Sequence, residues 1–263
     1  MFFEYKGKNI YYKKIGSGNT TLVFIHGFPE DGSIFDKQTI FLSEKFQIIV
    51  PDLPGAGQSA YNDKLDSVEA FGQAIVSLLQ YEKIEKPILL GHSMGGYITL
   101  AIEELYPNFS KAFGFINSTA FADTEEKKEN RRKSIALMEK YGSAAFVKKA
   151  IPGNFSENFV KENSKLMEQL ITIASSFPKE GLQRFYEIMI DRPDLTSILK
   201  QTHKPVLFFI GAEDQAAPLS DLLQQVKLPQ TSHIHILPNV AHMSMLEAPE
   251  SVNQWILDFV LEK

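Results

Sequence analysis

Short, wholly apolar runs alternate along this chain with longer stretches in which apolar residues recur every three or four positions. The first pattern suits strands buried on both faces, the second helices with one apolar stripe. The runs at 21–25, 46–50, 87–90, 112–117, 205–210 and 232–237 predict strands. Val68, Phe71, Ile75, Leu78 and Leu79 predict a helix over 67–83. A second helix is expected over 95–106, ended by Pro107, and an amphipathic one around 249–261. Residues 2–15 predict a hairpin turned at Gly7-Lys8-Asn9, with a second turn at 16–19, and Pro51 is expected to stop the strand before it. Strands and helices alternating in this way predict an α/β fold, a mostly parallel central sheet flanked by helices.

The rhythm breaks between 119 and 199, where no strand pattern is visible. The segment opens with a mixed charge run at 125–133, expected to be a solvated helix face, and continues with Ile135, Leu137, Met138, Phe146 and Val147 at roughly helical intervals. The domain reading is therefore a core of 1–118 and 200–263 with a helical cap inserted at 119–199. Aromatic and Met residues of that insertion (Phe121, Phe146, Phe155, Phe159, Met167, Phe177, Tyr186 and Met189) are candidates for lining an apolar pocket.

Composition narrows the chemistry. At 263 residues the chain is long enough for a sizeable core, and 44% hydrophobic with 22% charged residues excludes a disordered or collagen-like chain. A net charge of −5 supplies no bulk positive field for nucleic acid or an anionic membrane, so the expected partner is a small-molecule substrate. The absence of cysteine excludes disulfides, Cys-ligated zinc, iron–sulfur clusters and thiol nucleophiles together. Charges at Glu4 and Lys6 interrupt what a signal peptide would need as its apolar stretch, and no apolar run is long enough to cross a bilayer. A cytoplasmic location is the resulting expectation.

The sharpest local signal is Gly91-His92-Ser93-Met94-Gly95-Gly96, directly after a strand and directly before a helix. A serine on such a tight turn is pushed out above the sheet, and the glycines are needed because side chains would collide. The turn also aims the Met94 N–H into the same space, at the positive end of a helix. A serine hydroxyl needs a base. Of six histidines, His92 adjoins the serine but should point away from it, His26 ends a strand, and His203 lies in a polar stretch. His233 and His235 share one strand face without a third ligand nearby. His242, on a loop between the last strand and the last helix, is the expected base. Asp214, just past the end of the 205–210 strand, is the expected acid that fixes its tautomer, with Glu213 as runner-up. The loop His26-Gly27-Phe28-Pro29-Glu30-Asp31-Gly32 can offer the Phe28 N–H as a second oxyanion donor beside Met94.

Taken together, His26-Gly27-Phe28-Pro29, 52–59 (DLPGAGQS), 91–96 (GHSMGG), Gly211-Ala212-Glu213-Asp214 and Val240-Ala241-His242 resemble the α/β-hydrolase superfamily, its small single-cap esterase and carbon–carbon hydrolase branch in particular. The resemblance implies Ser93 as nucleophile, Asp214 as acid, His242 as base and the N–H groups of Phe28 and Met94 as oxyanion hole, with no metal or organic cofactor. It treats 52–59 as a structural turn. Epoxide hydrolases and haloalkane dehalogenases share the His-Gly-x-Pro loop but carry Asp where this chain has Ser93, and Trp255 is the only tryptophan here. The implied function is ester hydrolysis of small to medium, mostly apolar substrates through an acyl-enzyme. The alternatives are a thioester, lactone, amide or carbon–carbon hydrolase, or a triad-bearing sensor with little turnover.

Overall fold

The computed structural model describes residues 1–262. Among them eight strands form one sheet in the order β1-β2-β4-β3-β5-β6-β7-β8. The strands are β1 (Phe2–Tyr5), β2 (Lys8–Ile15), β3 (Thr21–Ile25), β4 (Gln47–Pro51), β5 (Ile88–His92), β6 (Ala112–Ile116), β7 (Val206–Gly211) and β8 (Ser232–Leu237). The ladders from β4 to β8 are parallel, while β1 and β2 are antiparallel additions at one edge. Every residue of β3, β5, β6 and β7 is buried, as the unbroken apolar runs require of strands covered on both faces. The edge strand β1 instead alternates between exposed and half-buried residues.

Two boundaries differ from the pattern-based expectation. The first hairpin turns at Lys6-Gly7, whose φ values of 51° and 83° supply the left-handed backbone; Lys8 and Asn9 already pair with Tyr5 and Glu4. Pro51 lies inside β4, opposite Tyr12, rather than beyond it. The ladder to β3 has by then ended at Ile49, so the missing proline N–H is not needed on that side.

Helices connect the strands. In the core they are α1 (Asp36–Leu42), α2 (Val68–Tyr81) and α3 (Met94–Leu105). Between β6 and β7 run α4 (Glu125–Tyr141), α5 (Ser143–Ala150), α6 (Glu157–Glu162), α7 (Ser164–Ser175), α8 (Lys179–Asp191) and α9 (Thr196–Gln201). The chain ends with α10 (Leu219–Gln225), α11 (Ser244–Glu247) and α12 (Pro249–Leu261). Ser67 caps α2 by accepting from the Ala70 N–H, and Thr124 caps α4 by accepting from Lys127. The helix α2 packs on α3, and α1 on α12. Among the described residues no helix is long and apolar enough to cross a membrane.

Topology locates the working edge. The chain leaves β3 for β4 on one side and returns to β5 on the other, so the loops after β3 and β5 diverge and open a crevice at the C-terminal strand ends. The insertion between β6 and β7 is helical throughout its regular elements, with α4 packed on α8, and α5 on α4 and α7. Its charge run at 125–133 is exposed except at Lys127, Lys128 and Arg131, which are half-buried. Arg131 turns inward, its Nε 2.5 Å from Asp123 Oδ2 and its guanidinium over the Tyr186 ring. Arg192 approaches the other oxygen of Asp123 at 2.9 Å and stacks 3.8 Å above Tyr97, so one buried carboxylate ties both ends of the insertion together.

Candidate active site

Ser93 occupies the turn between β5 and α3 with φ 49° and ψ −118°, a backbone conformation non-glycine residues adopt only when their surroundings enforce it. The enforcement is visible in its neighbours. A Cβ on Gly91 would lie 2.3 Å from the Gly95 carbonyl oxygen, and one on Gly95 would lie 2.0 Å from that of Ile25. Only bare glycine backbone lets α3 start this close to β3 and β5. The Ser93 N–H donates to Ile116 O, Ser118 Oγ donates to Ser93 O, and Ser93 keeps partial exposure while its immediate neighbours are buried.

Asp214 and His242, the expected acid and base, meet. His242 Nδ1 lies 2.8 Å from Asp214 Oδ2, both side chains being almost fully buried. Because a carboxylate can only accept, Nδ1 carries the proton and Nε2 keeps a lone pair. The other oxygen of Asp214 accepts the Ala216 and Ala217 N–H groups at 2.8 and 2.9 Å. Burial pushes the Asp214 carboxyl upward. The charge and hydrogen bond of His242, with the Ala217 amide and Asn117, outweigh it and hold the group below its ordinary value. Burial likewise depresses His242, but Asp214, then Glu30 and Glu247, raise it above the ordinary histidine value. Glu213, the runner-up acid, is exposed and contributes its backbone N–H to Val240 O.

Several supports escaped the sequence reading. Asn117, at the end of β6 with φ 51°, donates from Nδ2 to Asp214 Oδ2 at 3.2 Å and to Ala241 O at 2.9 Å. Residues 116–118 thus touch both the serine turn and the loop bearing Asp214's partner. Glu247 accepts the N–H groups on either side of His242, from Ala241 at 3.0 Å and Met243 at 3.3 Å, and with its other oxygen that of Ser156. The His242 N–H itself donates to Asn154 O in the insertion. A carboxylate five residues after the histidine was a signal available in the sequence; the Asn117 contact, 97 residues from Asp214, was not.

The loop after β3 closes on the serine turn so tightly that a Cβ on Gly27 would lie 2.9 Å from Ser93 Cβ. The N–H groups of Phe28 and Met94 have no hydrogen-bond partner among the described residues. The Leu53 N–H donates to His26 Nε2, so His26 carries its proton on Nδ1 and donates to Gly27 O. His92 points beneath the site, its Nδ1 on Ile116 O and its Nε2 towards Glu30, with its ring centroid 4.9 Å from that of His242. The 52–59 segment is a tight turn in which Asp52 accepts from Gly32 and Gln58 and Ser59 Oγ donates back to Asp52 O.

Above this loop, Phe28 meets Tyr186 at 4.3 Å and Phe146 at 6.1 Å between ring centroids. The same two insertion residues line a cleft of about 590 Å³, together with Leu137, Ala150, Gly153 and Asn154. Of the other expected pocket residues, Phe155 stacks on Phe159 and lines a small pocket with Glu30 and Met243, Phe177 borders Asp52 and Gln58 of the core, Met167 and Met189 are buried, and Phe121 is half-buried. The remaining histidines lie elsewhere. His203 bonds Gln230, while His235 stacks on Trp255 and His233 meets Phe259 edge-on beneath α12. Among the described residues no group of three or more His, Asp or Glu is placed to hold a metal ion.

Comparison with known proteins agrees with this picture. The profile of the alpha/beta hydrolase family matches residues 22–255. The hydrolase YugF of Bacillus subtilis (strain 168) is 27% identical over 267 residues, covering 98% of this chain and 96% of that one. The Karrikin insensitive 2 receptor IA of Petunia hybrida is 27% identical over 258 residues, 92% of this chain and 91% of that one. Among solved structures, a thermophilic esterase from Thermogutta terrifontis superposes with a TM-score of 0.92 at 26% identity, covering 99% of this chain and 96% of its own.

Proposed function

The chain belongs to the alpha/beta hydrolase family, and from that footing we propose that it is a serine hydrolase cleaving carboxylic esters of small to medium, mostly apolar substrates. The observation that carries this reading is the 2.8 Å contact between His242 Nδ1 and Asp214 Oδ2, which leaves Nε2 as a base at the same strand-end edge as Ser93. Ser93 Oγ attacks the carbonyl carbon as His242 Nε2 takes its proton. The unpartnered N–H groups of Phe28 and Met94, the latter at the N-terminus of α3, hold the oxyanion. His242 returns the proton to the leaving alcohol, then deprotonates a water that hydrolyses the acyl-enzyme. The acid leaves, and Ser93 regains its hydrogen.

Residues 119–199 act in this reading as a cap, with 1–118 and 200–263 as the core. The Phe28, Phe146 and Tyr186 rings form an apolar wall suited to an acyl or alcohol chain. No cofactor takes part in any step, and the substrate is a small molecule met in the cytoplasm. The esterase likeness at 26% identity supports the reaction class.

The test is Ser93→Ala assayed on p-nitrophenyl acetate and butyrate. A loss of about 10³-fold or more in kcat is expected, and undiminished turnover overturns the nucleophile assignment. The likeness to a receptor favours a second reading, in which the same residues bind a ligand chiefly to signal. Covalent labelling of Ser93 by a fluorophosphonate without turnover of any ester selects that reading.

A further inference from the structure

A second carboxylate–imidazole pair lies beside the first and has no role in the reaction just described. Glu30 and His92 are both buried, with 7% and 0% of their surfaces exposed. Glu30 Oε2 accepts the Gly27 N–H at 3.0 Å, and Oε1 faces His92 Nε2 at 3.2 Å. On the far side of the ring, His92 Nδ1 lies 2.9 Å from the carbonyl oxygen of Ile116. A carbonyl can only accept, so Nδ1 is protonated. A neutral imidazole would then turn a bare lone pair towards a carboxylate oxygen, with both groups buried. One additional proton between Nε2 and Oε1 removes that conflict. We propose that Glu30 and His92 share this proton as a buried ion pair that latches the loop after β3 onto the serine turn, making Glu30 a positioning residue for Ser93 and for the Phe28 N–H.

The connectivity gives the latch its use. Glu30 bonds the backbone of Gly27, the residue before Phe28, while His92 is the residue before Ser93. The bridge therefore joins the two backbone segments that flank the space next to Ser93, where Gly27 already stands too close for any Cβ. The titratable groups facing the pair are His26 from its own loop and His242 from the loop after β8, itself held by Asp214. Burial pushes the Glu30 carboxyl up, but His92, His242 and His26 outweigh it and hold it below the ordinary value, so Glu30 stands as the carboxylate of the pair. An amide can imitate this geometry without charge: Gln at 30 can accept from Gly27 with its oxygen and donate to a neutral His92 Nε2 with its nitrogen.

The kinetic half of this inference rests on the hydrolase reading; the protonation half does not. The experiment is nitrogen NMR of protein labelled in histidine, with His92 assigned through His92→Gln, recorded on wild type, Ser93→Ala and Glu30→Gln between pH 6 and 9. Both His92 nitrogens are expected to be protonated across that range in wild type and Ser93→Ala, whereas Glu30→Gln leaves His92 neutral with a bare Nε2. Turnover of p-nitrophenyl butyrate is expected to fall about 10- to 100-fold in kcat for Glu30→Leu, a cost typical of misplaced reacting groups, with KM little changed and kcat largely restored in Glu30→Gln. A His92 with an unprotonated Nε2 in wild type at pH 7 overturns the shared proton, whatever the kinetics. Wild-type kcat in folded Glu30→Leu overturns the positioning role. If Ser93→Ala hydrolyses normally, the hydrolase reading falls, and the NMR result still decides the pair.

Discussion

Asn117 is bonded to Asp214 at 3.2 Å, through the same carboxylate oxygen that faces His242. The acid is thus held on three sides: by the imidazole, by this amide and by the two backbone N–H groups at its other oxygen. Asn117 also bonds the carbonyl of Ala241, the residue before His242, so one side chain spans acid and base. Asn117→Gly keeps the left-handed backbone and removes both contacts, together with the weaker one in which Asn117 Oδ1 accepts the Ser244 N–H at 3.4 Å. It is expected to lower kcat by about tenfold, the worth of a hydrogen bond to a charged group, and a kcat within twofold of wild type in a stopped-flow ester assay would show that the amide is dispensable.

Asp214→Asn is expected to cost more than its small change in shape suggests. The amide oxygen can still accept from Ala216 and Ala217, which turns its NH₂ towards His242 Nδ1. The imidazole must then carry its proton on Nε2, where it cannot accept one from Ser93. A fall in kcat on the order of 10⁴-fold with an unchanged circular dichroism spectrum is the expected outcome.

The pH profile follows from the direction of the His242 shift. Burial lowers it, but Asp214, Glu30 and Glu247 together raise it above 6.5. The active form is the unprotonated base, so activity is lost as pH falls through this raised value. The acid limb of kcat/KM should therefore have its midpoint above 6.5, and Glu247→Gln should move it towards lower pH. A midpoint below the ordinary histidine value, or no movement in the variant, contradicts this account.

Gly95→Ala probes the turn itself. Its Cβ would stand 2.0 Å from Ile25 O and 2.7 Å from His26 O, backbone atoms at the end of a central strand that has no room to shift. Destabilisation of about 3 kcal/mol or more is expected from thermal unfolding, beyond the usual cost of overpacking a core. Gly153→Ala, where nothing lies within 4 Å, is the control and should melt like wild type.

The contrast between Asp214 and Glu30 explains what was readable in the sequence. Asp214 and His242 each follow a strand of a parallel sheet, and parallel strands deliver the residues after them to one edge, so position alone predicted their meeting. The strands themselves were legible because burial on both faces leaves an unbroken apolar run. Glu30 sits in a polar loop and its partner 62 residues away is visible only once β3 and β5 lie side by side. Asn117 looked like the last residue of a strand; its φ of 51° turns it instead towards the acid. Arg131 was indistinguishable from its exposed neighbours in the charge run because its inward turn answers to Asp123 and Tyr186, which periodicity does not encode.

The bond from the His242 N–H to the carbonyl of Asn154 has a bearing on how new specificities could be built on this scaffold. Chimeras that graft a relative's residues 119–199 in order to change the substrate would also exchange one of the tethers of the proposed general base. The Ser156 amide gripped by Glu247 would be exchanged with it. In the proposed reaction the stretch 154–156 thus bears on the base as well as on the cleft, so a graft that keeps it in its present path is expected to change the cleft alone, and one that does not to alter both at once.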